Sequence, residues 1–234
     1  MLIWTPDTVR FQRDAALYGG YHRTLAAHLV PYLPQNRHIC DVGCGLGYLS
    51  RALAPYCERV TAVDSEPLAL DVLRKDTPEN VEVFEGDVFT LSPDRCFDAM
   101  VFCFFGTMDE TLLLARKHCR GKVIVIKRGW TQHRFSLAPT PVQRYTSSET
   151  EQYLRVRSIP FAHETLLLDM GQPLRSKEEA VRFFSAYGQA GESFAISFED
   201  IESRLQKTDN PAFPYYLPQE KPLGIFSFDA ADIQ

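Results

Sequence analysis

The chain has 234 residues, 45% of them hydrophobic and 24% charged, with 25 Lys and Arg against 30 Asp and Glu for a formal net charge of −5. That is enough apolar material for one α/β domain with an elaboration, and the acidic balance argues against a nucleic acid gripped through its phosphates, since such proteins carry a basic surplus. No run approaches the roughly 18 consecutive apolar residues of a membrane helix, and Met1 to Asp7 lacks the basic-then-apolar order of an export signal.

In chain order, Asp7 can cap a first helix running to about Leu17. Gly19 and Gly20 interrupt it before a second helix from Tyr21 to about Val30, which Pro31 and Pro34 end. Arg37 to Val42 is a short apolar strand. A glycine turn leads from it into a helix with Leu49, Ala52 and Leu53 on one face. Arg59 to Asp64 gives a second strand, and Ser65 can cap a helix holding Pro67 in its first turn. Val81 to Phe84, Ala99 to Phe104 and Val123 to Ile126 follow as strands, with a helix from Glu110 to His118 before the last of them. The unbroken apolar run at Val123 suits a strand buried on both faces.

Past Arg128 the alternation weakens. Thr131 to Pro141 reads as a loop, Ser147 to about Arg157 as a helix, and Thr165 to Asp169 as a strand. Ser176 to Phe184 forms a helix with Glu179 at the capping-box position, and Phe198 to Leu205 forms another. Asn210-Pro211-Ala212-Phe213 reads as a turn, and Pro222 to Phe228 as a final strand. Strands alternating with helices predict a parallel, doubly wound sheet. Cys40, Cys44, Cys57, Cys96, Cys103 and Cys119 are scattered without a C-x-x-C pair. They read as reduced thiols in a cytoplasmic protein with no metal site.

The most informative stretch is Asp41-Val42-Gly43-Cys44-Gly45-Leu46-Gly47, with a second acid, Asp64, about 20 residues further on. A glycine turn between strand and helix admits a ligand to backbone N–H groups, and an acid at that later spacing takes ribose hydroxyls. Tyr48 occupies the slot where a dinucleotide fingerprint has glycine, and Asp41 directs negative charge at the place of a pyrophosphate. Both features disfavour a nicotinamide-dependent oxidoreductase. A positively charged nucleoside fits better, and S-adenosylmethionine carries an ammonium and a sulfonium beside a ribose.

Over roughly residues 36 to 128 the chain resembles the class I S-adenosylmethionine-dependent methyltransferases. The match lies in the acid-x-G-x-G-x-G turn, in Val60 to Asp64, in Val81 to Val88 and in Phe97 to Cys103. The resemblance implies a Rossmann-like, mostly parallel seven-stranded sheet with its last strand antiparallel and a small helical cap. It implies a single domain: N-terminal helices over 1–35, a cofactor-binding core over 36–128, and sheet completion over 129–234 with a cap insertion at about 172–208. It implies that Gly43, Cys44, Gly45 and Gly47 run beneath the methionine part of S-adenosyl-L-methionine while Asp41 draws in its amino group. Asp64, with Ser65 beside it, takes the ribose, Asp87 accepts from the adenine amino group, the Val88 N–H meets the ring, and Cys103 ends the strand that faces the methyl.

The acceptor half is less legible, because methyl transfer from a sulfonium needs alignment and water exclusion more than a base. Candidate bases or orienting groups are Tyr21, His22, Lys127 and His133. The N/D-P-P-F/Y tetrad of the amino-methylating branch is absent after the fourth strand. Cys103 follows Phe102 and not a proline, which disfavours a thiolate nucleophile. Aromatics such as Phe183 and Phe184 suit either an acceptor pocket or the cap's own core. The expectation is methylation of an oxygen, nitrogen or sulfur of a small molecule, with no membrane partner and an oligomeric state left open. The alternatives are an RNA or protein methyltransferase of the same fold, built on the basic cluster from Arg116 to Arg128, and a non-catalytic cofactor-binding protein.

Overall fold

The computed structural model describes residues 4–34, 38–92, 96–129, 146–187 and 197–233. Helix α1 (Pro6–Gly19) leads through left-handed Gly20 into α2 (Tyr21–Leu29). Then come β1 (His38–Val42), α3 (Tyr48–Leu53), β2 (Arg59–Asp64), α4 (Pro67–Arg74), β3 (Val81–Glu85), β4 (Phe97–Cys103), α5 (Met108–His118) and β5 (Cys119–Arg128). The second half holds α6 (Ser147–Val156), β6 (Ala162–Asp169), β7 (Gln172–Leu174), α7 (Lys177–Tyr187), α8 (Phe198–Arg204), β8 (Gln206–Lys207), β9 (Tyr215–Leu217) and β10 (Glu220–Asp229).

Seven strands form the main sheet in the order β3-β2-β1-β4-β5-β10-β6. β10 runs antiparallel to both neighbours, and the pairs β1·β2, β1·β4, β2·β3 and β4·β5 are parallel. The order reverses at β1 and β4, so the carboxyl ends of these two strands open a crevice where ligands of such sheets bind. The pleat sorts the central strands onto two cores. Ile39, Val101 and Ile124 pack with Leu25, Leu29, Leu49 and Leu53 on one face, while Cys40, Met100 and Val123 pack with Leu112, Ala115 and Leu154 on the other.

A third core joins α1 to the insertion between β6 and β10. Phe11 meets Leu174, Ala180, Phe183, Phe184, Ile201 and Leu217 there. Charges bordering it tie the same two parts together: Arg10 of α1 bonds Glu179, and Arg175 pairs with Asp14 at 2.7 Å and with Glu179 at 3.0 Å. Besides its two helices the insertion carries a three-stranded sheet, β7-β9-β8. Strands of two or three residues are too short for alternation to reveal.

Local chemistry shifts some of the expected boundaries. Thr5, not Asp7, caps α1, because Pro6 opens the helix and Thr5 and Thr8 bond reciprocally. Ser65 does not cap α4; Pro67 sets the start, and the cap position falls on Glu66, which makes no side-chain capping bond. Asn210 does sit in a turn, its Oδ1 accepting from the Ala212 N–H at 2.9 Å, on the connection from β8 to β9. No helix among the described residues is long and apolar enough to cross a membrane.

Candidate functional site

At the end of β1 the chain enters the turn through three left-handed glycines, Gly43 (φ +69°), Gly45 (φ +53°) and Gly47 (φ +72°), a conformation that costs a residue with a Cβ. The amides of Gly43 and Cys44 both donate to the Val63 carbonyl, at 2.8 and 3.0 Å. The turn is also crowded: a Cβ on Gly43 would lie 2.6 Å from the Phe105 ring, and one on Gly45 would lie 3.1 Å from Trp4.

Two carboxylates flank the turn in different settings. Asp41 is 1% exposed, and its Oδ2 accepts from the Ser50 hydroxyl at 2.5 Å. Burial, reinforced by the charge of Asp64 and opposed by the Ser50 bond, raises its pKa to about 6. Asp64, half-buried at the end of β2, accepts from the Gly45 N–H at 2.7 Å and from the Glu66 N–H at 3.0 Å. Asp64 therefore holds the turn in shape while keeping acceptor capacity for a further donor.

A cavity of about 280 Å³ opens on this turn. Its wall takes Asp41, Gly43, Cys44 and Gly45 from the turn, Trp4, Gln12, Tyr21 and His22 from the N-terminal segment, and Cys103, Phe104, Met170 and Leu223 from the strand ends. The His22 ring lies between Tyr21, 4.0 Å away, and Tyr48, 5.6 Å away. Of the residues singled out from the sequence, Asp41, Gly43, Cys44, Gly45, Cys103, Tyr21 and His22 thus meet at one place. Asp64 joins them through Gly45, and Gly47 closes the turn with a bond from its amide to the Cys44 carbonyl at 2.9 Å.

The others lie elsewhere. Ser65 is exposed beyond the end of β2. Asp87 is exposed after β3, with its Oδ1 accepting from the Phe89 N–H at 3.0 Å, and the Val88 side chain is buried in the core. Lys127 does not line the cavity; its ammonium donates to the Phe105 and Gly106 carbonyls at 2.5 and 2.8 Å. Burial, with Arg128 nearby, lowers its pKa to about 8. His133 falls outside the described residues. Burial and the Asp41 charge push the thiols of Cys103 and Cys44 upward, which opposes a thiolate role. The sequence reading missed Trp4, Gln12, Met170 and Leu223, which no motif marks.

Several members of the basic cluster around β5 are ion-paired or buried. Arg120 pairs with Asp98 and Lys122 with Asp229, at 2.9 and 2.8 Å, while His118 is fully buried. Phe183 and Phe184 belong to the core shared with α1 and take no part in the cavity wall.

The strand order, the glycine turn and the two acids place a cavity with a buried carboxylate at the β1 and β4 ends. Residues 39–120 match the family model described as a methyltransferase domain. Cypemycin N-terminal methyltransferase of Streptomyces is 37% identical over 100 residues, covering 42% of this chain and 38% of that protein. Nodulation protein S of Rhizobium tropici is 35% identical over 63 residues, 26% of each. The matched part thus spans well under half the length of either relative. Magnesium protoporphyrin IX methyltransferase of Synechocystis, solved with bound S-adenosylhomocysteine, shares the fold with a TM-score of 0.51 at 13% identity, over 92% of this chain and 85% of that one. Residues 39–120 thus resemble a methyltransferase domain, and the chain shares the fold of that S-adenosylhomocysteine-bound methyltransferase.

Proposed function

We propose that this protein transfers a methyl group from S-adenosylmethionine to a small-molecule acceptor, with an amine nitrogen as the reacting atom. The observation that carries the cofactor half is Asp41, a buried carboxylate that opens on the cavity wall beside a glycine turn and has one hydroxyl as a partner. A buried carboxylate so sparsely compensated is costly by itself and suits a cationic guest. Bound there, S-adenosylmethionine supplies an electrophilic methyl whose transfer needs no protein nucleophile.

The chain's own residues then have three tasks. Asp41 accepts from the ammonium of the methionine part, and the side-chain-free glycines of the turn leave room beside it for the rest of that part. Asp64 offers its remaining lone pairs to ribose hydroxyls while fixing Gly45, and in this reading Asp87 and the Val88 N–H, which lie outside the cavity wall, take the adenine edge. Cys103 and Phe104, at the end of β4, border the acceptor side. Trp4, Tyr21, His22, Met170 and Leu223 surround it with mostly apolar surface that excludes water and aligns the reactants. His22 lies near enough to the wall to receive a proton from an acceptor nitrogen after transfer.

The choice of nitrogen is supported by the relative whose name assigns it an amino terminus as acceptor. The choice of a small acceptor is supported by the modest cavity and by the ion pairing of Arg120 and Lys122 on β5. The test is methyl transfer from labelled S-adenosylmethionine to matched panels of small amines, alcohols, thiols and short peptides. Turnover confined to amines supports the reading. Turnover of alcohols or thiols alone overturns the choice of nitrogen, and binding of S-adenosylhomocysteine without turnover of any acceptor overturns the enzymatic reading.

A further inference from the structure

Resting on that reading of the site, we infer that Lys127 is a positioning residue, whose ammonium shapes the loop after β4 so that one ring supports the cofactor turn and the next walls the acceptor side. The loop is conformationally demanding. Phe104 adopts φ +56°, the left-handed region that a bulky residue avoids, and Gly106 follows at φ +38°. Such a shape persists only where its surroundings hold it.

The holding groups come from the end of β5. The Phe104 N–H donates to the Ile126 carbonyl at 3.0 Å. The next residue, Lys127, turns its side chain back so that Nζ reaches the carbonyls of both Phe105 and Gly106. Lys127 is 1% exposed. Burying an ammonium is costly unless it is well bonded, so its place here is accounted for by the carbonyls it collects. A charged donor also makes stronger bonds than a neutral one.

The consequence for the site follows from what the two rings touch. Phe105 presses on Gly43, where an added Cβ would come within 2.6 Å of the ring. Phe104, one residue earlier, lines the cavity next to Cys103. Adjacent residues of one loop thus meet the glycine turn and the cavity wall, and the Lys127 bonds set their relation. Lys127 does not line the cavity, which argues against a general-base role.

The test is hydrogen exchange, followed by mass spectrometry, on the full chain without ligand, comparing wild type with Lys127→Met and Lys127→Arg. In Lys127→Met the peptide spanning residues 103–107 should exchange at least about tenfold faster while peptides of β1 and β2 keep their wild-type protection. Lys127→Arg, which restores a charged donor, should recover most of that protection. Unchanged exchange at 103–107, or faster exchange spread evenly over the chain, overturns the inference. Lys127→Gln is the second variant should Lys127→Met not accumulate as folded protein, with the same expected pattern. Titration of wild type with S-adenosylhomocysteine keeps the two readings apart: failure to bind sinks the cofactor assignment, whereas the loop's exchange decides the role of Lys127 separately.

Discussion

Replacing Asp41 by Asn nearly preserves the side chain's shape and removes its charge, which isolates the electrostatic part of cofactor binding. In the free protein, burial and the Asp64 charge raise the Asp41 carboxyl from an ordinary 3.8 to about 6. A bound ammonium favours the carboxylate, so binding below pH 6 must expel a proton, and affinity must rise with pH until the carboxyl is ionised and then level off. If the ionised form alone binds, a pKa of about 6 makes the wild-type dissociation constant for S-adenosylhomocysteine about tenfold larger at pH 5 than at pH 7, or about 1.4 kcal/mol. Asp41→Asn should lose this slope. At pH 7 it should also bind about 10- to 150-fold more weakly, since a bond to a charged group is worth about 1.5–3 kcal/mol. Isothermal calorimetry at pH 5, 6 and 7, in two buffers of different ionisation enthalpy, reads both the affinity and the proton released. A flat wild-type profile, or an Asn variant with the same slope, refutes the reasoning.

Further expectations come from the same structure. Because the folded-state pKa of Asp41 lies above the unfolded value, the folded protein binds the extra proton between about pH 4 and 6 and loses stability as pH rises through that window. Ligand-free Asp41→Asn should therefore melt higher than wild type at pH 7, by up to an amount on the order of 3 kcal/mol, and an equal or lower melting point would contradict the burial argument. Asp64→Ala removes the acceptor of the Gly45 and Glu66 amides and should weaken S-adenosylhomocysteine by roughly 1 kcal/mol or more; unchanged affinity would take Asp64 out of the site. Phe183→Ala opens a void in the core that joins α1 to the insertion and should cost about 3–5 kcal/mol in chemical denaturation. A cost below about 1 kcal/mol would mean that this core is dispensable.

The sheet was legible because its central strands are apolar without interruption and its turn is punctuated by glycine. The acids could be read for a related reason: Asp41 stands inside a run that is otherwise buried, and a charge there demands a purpose. Lys127 carried the same signal, a lysine closing the Val123 to Ile126 run, but the sequence could not tell whether it faced a cavity or a loop. Two boundary errors had simple causes. Pro6 and Pro67 each mark a first helical position, and the residues before them, Thr5 and Glu66, take the cap, so Asp7 and Ser65 are each displaced from it. Trp4, Gln12, Met170 and Leu223 left no trace in the pattern. They reach the cavity through the docking of α1 and through the antiparallel placement of β10, and both are tertiary facts.

The most direct test of the whole account is a crystal structure of the protein grown with S-adenosylhomocysteine. The account expects the ligand's amino group at Asp41, its ribose at Asp64 and its sulfur toward Cys103 and Phe104. A ligand bound away from the Gly43–Gly47 turn, or a cavity beside that turn that stays empty at saturating ligand, would contradict it.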